Sequence, residues 1–168
     1  MEFSCRTAGK ANHPLVIQGT LDLVRIAVQN LQVVAMSPVR VTVTVEAAEH
    51  LCEVGGRVGG EVTYRCSRCL TEYHEDLQSE IRELFTDVAL KADEDTHYVT
   101  DDLIVLDPYV EEAVQLAVEQ FPVCMPGCRG LCPVCGTILN EGTCQCDTRA
   151  VDPRWAALQG LHSSDDSK

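Results

Sequence analysis

Basic residues are scarce in this sequence: Lys and Arg number 13 against 26 Asp and Glu, which leaves a formal charge of −13 at pH 7. Affinity for a nucleic-acid backbone rests on Lys and Arg displacing counterions, so broad contact with phosphate is disfavoured and a protein is the expected partner. Long apolar runs are missing as well. No stretch approaches the ~20 apolar residues that span a bilayer, and Met1 to Lys10 carries no signal-peptide-length apolar run. The expectation is a cytoplasmic chain with no membrane role. Catalytic signatures are also lacking: there is no GxSxG, no Walker sequence, no HExxH and no H-x-E followed by P-C-x-x-C. His13, His50, His74, His97 and His162 stand at no second-ligand spacing. Nothing points to an enzyme or to a small-molecule substrate.

What is present reads as one ordinary domain with a small appendage. Val39, Val41, Val43 and Val45 alternate with Arg40, Thr42 and Thr44, the period of a half-buried strand. A second strand over Val58 to Cys66 runs into the first cysteine pair. Gly55, Gly56, Gly59 and Gly60 fit neither dinucleotide nor P-loop spacing and are expected to mark bends or bulges. Thr71 to Phe85 suits a helix or a strand; a tight turn over Arg65 to Leu70 favours a strand returning antiparallel. Ala92 to Asp102, with Asp93, Glu94, Asp95, Asp101 and Asp102, reads as a solvated acidic loop. Asp107 and Pro108 suit the N-cap and first position of a helix with an apolar stripe at Val110, Ala113, Val114, Ala117 and Phe121, closed by Pro122. Asp152 and Pro153, followed by Trp155, Leu158 and Leu161, suggest a short final helix. The expected fold is α+β: an antiparallel β-meander with one or two helices and a C-terminal Cys-rich zinc module. Residues 1–122 form the mainly β domain, 123–161 the zinc module with its short helix, and 162–168 a disordered tail.

Ten cysteines in a reducing compartment are explained by metal more readily than by disulfides. Cys132-Pro-Val-Cys135-Gly136 is the strongest local signal: two thiolates reach one metal from a single turn, and the glycine permits a positive φ. Cys144 and Cys146 complete a tetrahedral set. Cys66 and Cys69 form a second such turn, with Cys124 and Cys128 the cysteines left to complete it. An interleaved scheme, with Cys66 and Cys69 joining Cys132 and Cys135, stays open. Cys5 and Cys52 read as small buried hydrophobes. Four thiolates leave no open coordination position, so two zinc ions would be structural, and eight thiolates with two Zn²⁺ would carry the −13 to −17. Arg65, Arg68, Arg129, Arg149 and Arg154 lie beside the clusters and offset that charge, or form a small basic surface with limited RNA contact.

The order CSRCL (Cys66 to Leu70), an acidic loop, a helix ending in Phe121-Pro122, then CRGLCPVCGTILNEGTCQC (Cys128 to Cys146) and DPRWAAL (Asp152 to Leu158) resembles the YceD family of bacteria and plastids, over roughly Val39 to Leu161. The resemblance implies a role in accumulation or processing of large-subunit ribosomal RNA and in large ribosomal subunit assembly. It also implies a partner that is a ribosomal protein or an assembly intermediate. The chain departs from the family at Phe121, where leucine is usual, and at Ile138, where asparagine is usual. The expected function is a noncatalytic factor. The alternatives are a ribosomal RNA-processing enzyme, a thiol oxidoreductase, or a transcription-associated zinc ribbon.

Overall fold

The structure, a computed structural model, describes residues 1–10, 13–100, 103–147, 154, 155 and 158. Its elements in chain order are β1 (Glu2–Ser4), α1 (Cys5–Lys10), β2 (Leu15–Leu21), α2 (Val24–Gln29), β3 (Val33–Met36), β4 (Val39–Ala48), β5 (Leu51–Arg65), β6 (Glu72–Thr86), a 3-10 turn (Ala89–Lys91), β7 (Thr96–Tyr98), β8 (Leu103–Val105) and α3 (Asp107–Ala117). The chain divides into two compact units, one of Met1–Ser67 with Thr71–Pro126, the other of Arg68–Leu70 with the chain from Gly127 on.

The first unit is built on a mostly antiparallel sheet in the order β2-β4-β5-β6-β7, with β3 pairing beside β4 on β5. The fold is α+β. Valine alternation in β4 puts Val39, Val41, Val43 and Val45 on one face, where each is almost wholly buried. Strand periodicity alone produces that sorting, and burying each such side chain is worth roughly 1.5–3 kcal/mol. Val54, Val58 and Val62 of β5 and Ile81 and Phe85 of β6 share the core with Val110 and Val114 of α3. Phe85 meets Tyr109 edge-on at 5.1 Å between centroids, which seats the helix on β6.

Several expectations are corrected. The β5 glycines make no bulge: residues 51–59 pair in unbroken register with β4, and residues 51–65 with β6. Gly56 is required by proximity, since a Cβ there would lie 2.2 Å from the Thr42 carbonyl oxygen. The acidic stretch is not wholly loop, because Thr96 to Tyr98 form β7, parallel to β6, with Thr96 buried. Asp107 is the first residue of α3 and caps nothing with its side chain; its carboxylate receives the Met1 ammonium group. The helix stops at Ala117, and Phe121, placed on its apolar stripe from sequence, is 79% exposed. Two further helices, α1 and α2, occupy the first 38 residues, which the sequence left unassigned. The predicted final helix and the tail lie almost wholly outside the described residues.

Among its described residues the second unit contains little regular structure. Leu131 and Ile138 form an isolated antiparallel bridge, and the Leu139 amide donates to the Gly130 carbonyl at 2.9 Å. Gly130 has φ +74°, and a Cβ there would approach the Arg68 carbonyl oxygen to 3.0 Å, so glycine is the residue that fits.

Candidate metal centres

The two C-x-x-C segments fold into the same turn. In Cys66-Ser-Arg-Cys69-Leu70-Thr71 the Cys66 amide donates to the Thr71 carbonyl at 3.0 Å; in Cys132-Pro-Val-Cys135-Gly136-Thr137 the Cys132 amide donates to the Thr137 carbonyl at 2.9 Å. The residue after the second cysteine is left-handed in both, Leu70 at φ 60° and Gly136 at φ 73°. Each turn therefore projects two sulfurs from one backbone loop. The first is anchored by the Ser67 amide, which donates to the Pro122 carbonyl at 2.8 Å, just before Cys124. Arg68 Nη1 donates to the Cys128 carbonyl at 3.1 Å.

The sulfurs gather into two groups, Cys66 with Cys69, Cys124 and Cys128, and Cys132 with Cys135, Cys144 and Cys146, all Sγ atoms of a group lying within 4.8 Å of one another. The sulfurs brought together are those the first pairing scheme groups. Zinc bound by four thiolates at about 2.3 Å has sulfur–sulfur edges of about 3.8 Å, so each group fits a tetrahedral ion with small adjustment. Either group could hold a metal ion. In the second, the Thr137 hydroxyl and backbone amide hold the Cys135 thiol down at about 6, with the Cys135 and Thr137 side chains 3.1 Å apart. Cys146 is pushed up to about 12, chiefly by its hydrogen bond with Cys135. Crowded thiols that share protons in this way are the donor set a soft cation replaces protons in.

A residue that sequence reasoning passed over lies beside the first group. Asn140 Nδ2 donates to Cys128 Sγ at 3.1 Å, while its Oδ1 accepts from the Arg129 amide at 2.7 Å. One side chain thus fixes both the sulfur and the backbone that follows it. No spacing rule marks such an asparagine.

A family model described as large ribosomal RNA subunit accumulation protein YceD matches residues 54–162. The chain belongs to the YceD family. The family is named for accumulation of large-subunit ribosomal RNA. The chain is 34% identical over 119 residues to the uncharacterized protein Rv2926c of Mycobacterium tuberculosis, a match covering 68% of this chain and 57% of that protein. It is 30% identical over 158 residues to the uncharacterized protein ML1660 of Mycobacterium leprae, covering 90% and 72%. To the uncharacterized protein YlbN of Bacillus subtilis it is 29% identical over 152 residues, covering 88% and 87%. The chain spans less than two thirds of the length of the Mycobacterium tuberculosis relative. No solved structure matches it.

In this YceD-family chain the remaining candidates sort as follows. Cys52 is buried and Cys5 half-buried against the same core. Arg65 is paired with Glu72 at 3.2 Å, so the arginine-bearing surface is smaller than the sequence suggests. Arg149, Asp101 and Asp102 lie outside the described residues. Among the described residues no helix is long and apolar enough to cross a membrane.

Proposed function

We propose that this chain is a noncatalytic cytoplasmic factor that supports accumulation of large-subunit ribosomal RNA and assembly of the large ribosomal subunit. Two structural zinc ions order its cysteine-rich segment. Membership of the YceD family is the observation that carries the reading. The donor sets support the zinc: Cys66, Cys69, Cys124 and Cys128 would hold one ion and Cys132, Cys135, Cys144 and Cys146 the other, and a four-thiolate ion has no open position for substrate. What zinc supplies there is a fixed crosslink. The chain's own residues do the rest: the paired turns aim the sulfurs, and Asn140 orients Cys128. The partner is a ribosomal protein or an assembly intermediate, since a charge of −13 opposes extended RNA contact.

Depletion of the protein in growing cells tests the function. Reduced large-subunit ribosomal RNA and a deficit of large subunits in gradient profiles are expected; normal levels of both would refute the reading. Elemental analysis of the purified chain should find two zinc ions, and iron in their place would overturn the metal assignment.

A further inference from the structure

We propose that the groove between α3 and β6 in the strand-rich unit binds a basic amphipathic segment of a partner protein. The groove measures about 690 Å³, within the size range of sites that enclose side chains. Its apolar surface comes from Ile81, Leu84, Tyr109, Ala113 and Leu116. Leu116 lies on a face of α3 apart from the buried Val110 and Val114, and is 82% exposed. One exposed leucine is ordinary on a protein surface. A leucine at the lip of a concave apolar strip ringed by one sign of charge is a more specific arrangement.

Glu83, Glu94, Asp95 and Glu112 supply that charge, while Glu80 at the same rim faces Arg57 at 3.8 Å. Among the described residues the groove's own cations, Arg82 and His97, do not balance it. Arg82 is turned to Glu53, donating from Nε at 2.9 Å, and His97 is engaged with Glu83 at 2.8 Å. Glu94, Asp95 and Glu112 make no ion pair among the described residues. Apolar contact with complementary charge is the chemistry by which an amphipathic peptide is recognised, its apolar side chains seated in the groove and its Lys or Arg heads set against the rim. A ligand carrying phosphates would meet the same carboxylates as repulsion, which favours a protein segment over RNA.

The inference extends the partner-binding reading above and rests on it only for the partner being a protein. Loss of peptide binding would leave a depletion phenotype untouched, so the two fail separately. The probe is a synthetic helical peptide with leucines on one face and lysines and arginines on the other, titrated into the full zinc-loaded chain and followed by amide NMR shifts and anisotropy. Shifts should centre on Leu84, Glu94, Asp95, Ala113 and Leu116. Leu116→Gln should weaken binding about 10-fold through lost apolar burial, and Glu94→Gln with Glu112→Gln should weaken it and flatten its salt dependence. Removing the same charge outside the groove, by Glu46→Gln with Glu61→Gln, should change affinity less than twofold. Equal binding of a scrambled peptide of the same composition, or equal loss from the outside pair, would reduce the effect to general attraction for a −13 chain and overturn the proposal. So would self-association abolished by Leu116→Gln, which assigns the face to a second copy, or an RNA oligonucleotide shifting the same amides.

Discussion

At the scale of single residues, the thiolates are only as well placed as the groups that hold them. Asn140 acts on Cys128 in two ways, giving an N–H to the sulfur at 3.1 Å and taking the Arg129 amide at 2.7 Å. A hydrogen bond to a thiolate spreads its charge, which matters where four anions surround one cation, and orienting groups of this kind typically contribute 10- to 100-fold in metal affinity. Asn140→Ala should therefore lower zinc affinity by about that factor at the group containing Cys128, while the group containing Cys132 keeps its metal. Asn140→Asp should be worse, since it loses the donor and adds a carboxylate beside the sulfur. Competition against a chromophoric chelator measures both steps, and unchanged affinity in Asn140→Ala would show the contact to be incidental.

At the scale of elements, the two turns share one backbone path but different residues at its left-handed position. A left-handed conformation costs an ordinary L-residue roughly 1–2 kcal/mol, and glycine avoids it. Gly136 sits at φ 73° without that cost, and Leu70 bears it at φ 60° while 54% exposed. Leu70→Gly should stabilise the zinc-loaded protein by about 1 kcal/mol and Gly136→Leu should destabilise it by a similar amount, read from denaturant midpoints. A destabilised Leu70→Gly would mean that the leucine side chain has a contact worth more than the strain. The same pair shows what the sequence made legible. The glycine after Cys135 declared a positive φ, whereas Leu70 gave no sign of one, because its conformation is imposed by the Cys66–Thr71 hydrogen bond and the hairpin around it. The strands β4, β5 and β6 were readable because long alternation repeats the signal many times. β7 was not, since three residues inside an acidic stretch show no period and owe their pairing to β6 alone. The six-residue helices α1 and α2 escaped for the same reason, each being under two turns long. Asp107 was misread as a cap because local sequence could not reveal the Met1 ammonium that takes its carboxylate.

At the scale of the whole molecule, the proposed zinc sites would give the two units different sources of stability, and that difference is testable. The first has a continuous core in which the β4 valines, Phe85, Leu106, Val110 and Val114 are almost fully buried. In the second, the buried hydrophobic side chains among the described residues are Cys69, Cys128 and Cys132. Three thiols cannot offset the conformational entropy of ordering the surrounding chain, at 1–2 kcal/mol per backbone residue. Structural zinc supplies on the order of 10 kcal/mol of folding free energy at neutral pH, enough to reverse the balance. Chelation should therefore leave amide exchange in β4, β5 and β6 slow while residues 128–142 become fast, with strand circular dichroism nearly unchanged. Acid should act as the chelator does, because protons compete for thiolates and affinity falls as pH falls. Cys66→Ser should release about one metal of two and leave the group of Cys132, Cys135, Cys144 and Cys146 loaded, since the sulfurs of that group share no member with Cys66. Cobalt spectra of the variant would show one tetrathiolate site. If amides 128–142 exchanged as slowly without metal as with it, packing and not coordination would be ordering this segment.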